Sequence, residues 1–152
     1  IPDGASTSLC LLKVLLSIKH QVQPEAYVSM EDPHDAFLIT GNQALRQRRG
    51  VRGYPHRYDL GEEWHDWTRL PFVFDRWIAH QDMDSRDLAM LEDALFVGQE
   101  DWLDGLYRMT GSRNDVLMLP RDVLEYVRGH RFYIEVPEQR AMNLFRQYLD
   151  QL

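Results

Sequence analysis

Apolar residues recur at helical spacing from the start of the chain. Leu9, Leu12 and Leu16 mark one face and Leu11, Leu15 and Ile18 another. The run LCLLKVLLSI therefore predicts a helix apolar on most sides, and hence buried. Ser6-Thr7-Ser8 stands before it, and hydroxyl residues there signal a helix start. Pro24 closes this unit. AYVSM (26–30) predicts a short strand. AFLIT (36–40) predicts a stronger one, since continuous apolar runs of this length are typical of parallel sheets. It stops at Gly41, and NQALRQR predicts a short helix.

Gly50, Gly53 and Pro55 then mark a loop. HRYDL (56–60) predicts a strand and GEEWHDWT a short helix. Pro71 opens the apolar run FVFDRWIA, a further predicted strand, because a proline without an N–H is tolerated at a strand's first residue. Residues from Ser85 to about Met109 predict a long helix, with Ser85 as cap, Leu88, Leu91 and Leu95 as stripe and Gly98 as a point of interruption. Pro120 suits the first turn of PRDVLEYVR. HRFYIEV (130–136) predicts a short strand or an extended link. The last helix begins near Pro137, with Ala141, Leu144, Phe145, Tyr148, Leu149 and Leu152 as its core stripe. Strands alternating with helices predict an α/β fold. Residues 1–79 read as an α/β lobe, and residues 80–152 as a mostly helical part.

Composition narrows the partners. The chain has 152 residues, 44% hydrophobic and 27% charged, which suits one domain or two small lobes. A net charge of −7 argues against nucleic acid, whose phosphates demand clustered Lys and Arg. The basic residues Arg46, Arg48, Arg49 and Arg52 do cluster, in a glycine-bearing loop, as a solvated loop or a local anion grip. The lone Cys10 cannot form an internal disulfide and fits a reducing, cytoplasmic setting. Lys13 and Lys19 interrupt the longest apolar run, so a membrane helix is not expected.

Few residues carry chemistry on spacing alone. His20, His34, His56, His65, His80 and His130 are scattered and make no zinc pattern. The stretch Met30–Asp35 lacks the glycine and alternation of a calcium loop. A helix start bearing Ser6, Thr7 and Ser8 offers free N–H groups, a partial positive charge and hydroxyls, which fits either a plain cap or a carboxylate grip. Gly41-Asn42 follows the predicted buried strand, where ligands bind in open α/β sheets, and Asn42 is equally suited to a turn. Trp64, Trp67 and the pair Glu62-Glu63 read foremost as packing and as helix-start acids, since paired carboxylates need a cleft to do acid–base work.

DLGEEWHDWTRLPFVFDRW (59–77) resembles the hallmark of the menaquinone enzymes of the futalosine pathway. These form two sister families with a periplasmic-binding-protein-like, two-lobed α/β fold. Phe72-Val73-Phe74-Asp75-Arg76-Trp77 is similar to the Phe-Val-Phe-Ala-x-Trp of the chorismate dehydratase family. The sister family, which cleaves cyclic dehypoxanthine futalosine, continues with a Pro-Leu-Gly type run instead. Thr7 to Leu16 resembles that family's Thr-Ser-Val-Ala-Leu-Leu-Arg-Ile-Leu-Leu, and Asp35 to Leu45 its Asp-Ala-x-Leu-x-Ile-Gly-Asp-x-Ala-Leu. The ending YVRGHRFYI…LFRQYL also fits. Three departures stand out: Asn42 for Asp, Arg69 for the Gly of Thr-Gly-Leu-Pro, and Asp75 for a small residue. Set against the family pattern, the chain lacks the N-terminal third, which carries a Ser-Tyr-Leu-Asn motif.

The resemblance implies a lyase that removes water from chorismate to give 3-[(1-carboxyvinyl)oxy]benzoate, without a metal or organic cofactor. It implies that Ser6, Thr7 and Ser8 grip a carboxylate, that Asn42 lines the cleft, and that Gly41, Phe72, Phe74, Trp64 and Trp67 support the cleft or hinge. The partner implied is a small dicarboxylate, neither nucleic acid nor membrane. The same fold also serves non-catalytic receptors for small anions, so a carboxylate-binding protein is the alternative expectation, as is an inactive, shortened family member.

Overall fold

The computed structural model describes residues 6–108 and 118–152. The helices are α1 (Ser6–Val14), α2 (Gly41–Arg46), α3 (Leu60–Thr68), α4 (Ser85–Tyr107), α5 (Pro120–Arg128) and α6 (Val136–Leu149). A π-helical turn, Leu15–Lys19, continues α1. Two compact units emerge, one formed by residues 1–74 with 132–152 and the other by residues 75–131.

In the first unit, α1 chooses between its two apolar faces. Leu11, Val14 and Leu15 are buried and Ile18 packs beside them, a stripe at helical spacing. Leu9, Leu12 and Leu16 stay half-buried. The π-turn is closed by the His20 amide donating to the Leu15 carbonyl at 3.0 Å. Gln21 then adopts φ 54°, and the Val22 amide donates to the Leu16 carbonyl at 2.8 Å. This left-handed residue with its long-reach bond ends the helix before Pro24 is reached.

The helix α3 is capped by Asp59, whose carboxylate accepts from the amides of Gly61 (2.9 Å) and Glu62 (3.1 Å). These are amides that a helix start otherwise leaves unpaired. At the other end Arg69 takes φ 59° and its amide donates to the His65 carbonyl at 2.7 Å. A left-handed residue at this position is ordinarily glycine. Arg69 stands where the related pattern has glycine, so the departure carries backbone strain. Its ion pair with Asp66 is long, at 3.5 Å, and exposed, and offsets little. Arg69→Gly is expected to stabilise the protein by about 0.5–1 kcal/mol in urea denaturation. A loss of stability would show that the arginine is held by more than this exposed pair.

Trp64 is the centre of the first unit's core and is fully buried. Its ring meets Trp67, Phe72, Phe145 and Tyr148 edge-on, with centroids 5.4–6.1 Å apart. Trp67 stacks on Tyr148 at 4.7 Å. The indole N–H donates to the Pro71 carbonyl at 3.1 Å, which satisfies the one polar atom that burial of tryptophan introduces. Leu60, Leu144 and Leu149 complete the cluster. The helix α6 enters it through a capping box. The Glu138 carboxylate accepts from the Glu135 amide at 3.0 Å while the Glu135 side chain accepts from the third-residue amide. Its Pro137 lies in the first turn, as expected.

In the second unit, α4 packs against α5. The cap of α4 is Asp84 rather than the expected Ser85, since the Asp84 carboxylate accepts from the Arg86 amide at 2.8 Å. Gly98 does not interrupt the helix. Its expected end near Met109 falls outside the described residues, and Tyr107 is its last helical residue. Val123 and Val127 are the buried positions of α5.

The predicted strands correct the sequence reading. Segments 26–30, 36–40, 56–60, 72–79 and 130–136 form no ladder, and Val51 with Tyr54 makes an isolated antiparallel bridge. The α/β expectation is thus met only by its helices. An apolar run marks a segment as extended and sheet-seeking, but a strand exists only against a neighbour. These segments do not pair with one another. Several of their apolar side chains remain open to solvent as a consequence, most of all Trp77 and Ile78, at 80% and 77% exposure, while Leu38 and Phe72 are turned inward. No helix among the described residues is long and apolar enough to cross a membrane.

Candidate functional site

Thr7 and Ser8 occupy the first turn of α1 and are half-buried, whereas the side chain of Ser6 lies outside the described residues. The hydroxyl residues therefore stand inside the helix start rather than ahead of it. Gly41 opens α2 with φ 58°, a left-handed value that any residue with a Cβ adopts at a cost. That conformation turns the chain from the extended segment 36–40 into the helix. Asn42, next in sequence, is exposed. Among the described residues no hydrogen bond joins Thr7 or Ser8 to Asn42.

The aromatic residues of the 59–77 stretch divide. Trp64, Trp67 and Phe72 belong to the core around α3 and α6. Phe74 leans edge-on against Phe72 at 4.7 Å and lies within 3.5 Å of where a Cβ on Gly61 would be, yet is 42% exposed. Phe74 is thus the aromatic of this stretch that presents a free face from the first unit.

The acidic pair of the same stretch also divides. Glu62 is exposed beside the α3 cap. Glu63 turns toward the π-turn, where Lys19 Nζ donates both to its carboxylate and, at 3.0 Å, to its own carbonyl. His20 Nε2 lies 3.3 Å from the same carboxylate oxygen. The Lys19 hydrogen bond, joined by the lysine and histidine charges, holds the Glu63 carboxyl below the usual carboxylate range, against the opposing pull of partial burial. Spacing gave no warning of this cluster, since its partners are 43 and 44 residues apart. The π-turn is the structural signal that accompanies it, and such turns recur where helices are put to use.

A second polar-aromatic cluster knits the loop region. Phe37 meets Tyr54 edge-on at 4.5 Å, and His34 stacks over Tyr54 at 6.2 Å. The Gly50 amide donates to the Gln47 carbonyl at 2.8 Å, and Arg57 Nη1 donates to the Arg48 carbonyl, also at 2.8 Å. The glycine-bearing loop is thereby folded back on the end of α2. Among the described residues no three His, Cys, Asp or Glu side chains gather as a metal site.

No solved structure matches the chain. A family model described as menaquinone biosynthesis matches residues 1–151. That span takes in the helix start at Thr7-Ser8, the Gly41-Asn42 turn and the aromatic crossing from Asp59 to Trp77, and with it the chain belongs to the menaquinone biosynthesis family.

Proposed function

We propose that the chain is a chorismate dehydratase-like lyase, which removes water from chorismate to give 3-[(1-carboxyvinyl)oxy]benzoate. The run Phe72-Val73-Phe74-Asp75-Arg76-Trp77 carries this reading within the family, because it follows the dehydratase form and not that of the sister enzymes. Loss of the hydroxyl and a ring proton yields an aromatic ring, so the reaction is driven by the product's own stability. The protein's part is to hold a dianion in a dry cleft and to align the departing proton. The substrate's enolpyruvyl carboxylate serves as base. Such a mechanism needs grips for carboxylates more than a strong protein base.

On this reading the α1 start, through Ser6, Thr7 and Ser8, grips one carboxylate with backbone amides and hydroxyls. Asn42 donates a hydrogen bond into the cleft, and Gly41 sets its direction. Phe72 and Phe74 line the wall, with Trp64 and Trp67 holding that wall in place. The fold proposed is the two-lobed periplasmic-binding-protein type, with residues 1–79 in one lobe and 80–152 returning to the other. No metal or organic cofactor enters, and the protein acts in the cytoplasm. A second reading, a non-catalytic receptor for small carboxylates, is favoured by Asn42. An amide there removes the charge that the related pattern carries.

Incubation of the protein with chorismate decides between them. Appearance of the benzoate absorbance with loss of one water by mass spectrometry supports the lyase. Calorimetric binding of chorismate without turnover supports the receptor. Neither binding nor turnover removes both.

A further inference from the structure

Residues 36–58 contain no aspartate or glutamate, although the chain as a whole carries a net charge of −7. Arg46, Arg48, Arg49, Arg52 and Arg57 all fall in this window. Arg49, Arg52 and Arg57 are exposed. Among the described residues Arg49 and Arg52 meet no acidic side chain, and Arg57 is engaged through the Arg48 carbonyl rather than through a charge. The bond from Arg57, the Gly50–Gln47 bond and the Phe37–Tyr54 ring contact fix the segment as a folded loop. The loop starts where α2 ends, at Arg46, and α2 begins at Gly41-Asn42. Asn42 and Arg46 lie four residue steps apart on α2, a rise of about 6 Å. The arginine-bearing loop thus follows directly on the short helix that carries Asn42, the residue proposed to face the ligand.

A surface of net negative charge repels a dianion, and one local concentration of opposite charge beside the cleft determines where encounters succeed. We propose that Arg49, Arg52 and Arg57 form an electrostatic guide that draws a dicarboxylate dianion toward Asn42. The guide rests on the dicarboxylate reading above. The three arginines act through their field and are not ligands in the final complex. Their charge therefore governs the association rate, and the dissociation rate is set elsewhere.

The test is stopped-flow mixing with chorismate at low and at physiological ionic strength. It uses the wild-type protein, the triple variant R49Q/R52Q/R57Q and the charge-preserving R49K/R52K/R57K. The association rate constant of the glutamine variant is expected to fall about tenfold at low salt, with its salt dependence flattened and dissociation unchanged. The lysine variant is expected to keep the wild-type rate, because a field needs charge and not the planar fork of guanidinium. Wild-type association rates in the glutamine variant would overturn the guide while leaving the dicarboxylate reading standing. Faster dissociation in both variants would also overturn it, by making the arginines direct ligands. Failure of the wild-type protein to bind or turn over chorismate removes the reading and the guide together.

Discussion

Trp64→Ala is expected to cost about 3–5 kcal/mol of stability. The side chain is fully buried and touches four other aromatic rings contributed by α3, the segment after it and α6. Truncation leaves a cavity whose walls are stiff rings, which relax poorly, so the cost lies at the high end for large-to-small changes. It also strands the Pro71 carbonyl that the indole N–H satisfies at 3.1 Å. Against a total stability of roughly 5–15 kcal/mol for a domain, the loss reaches a large fraction of the whole. Trp64→Phe separates the two contributions. It keeps a ring in the cluster and removes the donor, and is expected to cost nearer ~1–3 kcal/mol from the stranded carbonyl and reduced packing. Urea denaturation of the two variants checks this. A Trp64→Ala midpoint close to that of the wild type would mean that the ring cluster does not hold the first unit together.

The helices were legible in the sequence because their signals are local. The apolar spacing of Leu11, Leu15 and Ile18, the proline in the first turn of α5 and that of α6, and the hydroxyl-rich start of α1 each act within a few residues. Two local details went the other way. Asp84 outcompetes Ser85 as the cap of α4 because a carboxylate beside the free amides is favoured by charge as well as by hydrogen bonding. Gly98 lowers helix propensity by about 1 kcal/mol, which neighbouring helix formers over 23 residues absorb. The strands were legible only as extended, apolar segments. Whether 36–40 or 72–79 becomes a strand depends on a partner segment, and that is a property of pairing rather than of the run itself.

The candidate site follows the same division. Gly41 was singled out from its place after an apolar run, and its φ of 58° explains why glycine stands there. Trp64 and Trp67 were read as packing, and both lie in the core. The pair Glu62-Glu63 offered no hint that its members would part, because the partner of Glu63 lies on the π-turn. A charge cluster across elements that are distant in sequence has no local pattern from which it could be inferred.

That cluster sets how acid acts on the first unit. Glu63 has its carboxyl held below the ordinary carboxylate range, foremost by the Lys19 hydrogen bond. Its folded-state pKa therefore lies below that of an unfolded glutamate. The contact contributes fully at neutral pH, above the unfolded value, and its contribution is lost as pH falls through the folded one. A charge-assisted bond of this kind is worth about 1.5–3 kcal/mol. Solvent reaches Glu63, whose side chain is 24% exposed, so a value at or somewhat below the lower end of that range applies. Glu63→Gln is expected to lose about 1–2 kcal/mol at pH 7 and progressively less as pH falls below the unfolded carboxylate range, so that its stability curve is flatter than that of the wild type on the acid side. Lys19→Met leaves the carboxylate with His20 alone at 3.3 Å and is expected to cost a similar amount at pH 7. Adding high salt to the wild type at pH 7 moves it partway toward both variants, because a contact open to solvent is screened. Urea midpoints taken at several pH values distinguish this from general acid unfolding. Glu63 is the one carboxylate that the two proteins do not share, so the difference between their curves isolates it. Parallel curves for wild type and Glu63→Gln would show that the tie between the π-turn and α3 does not depend on this charge.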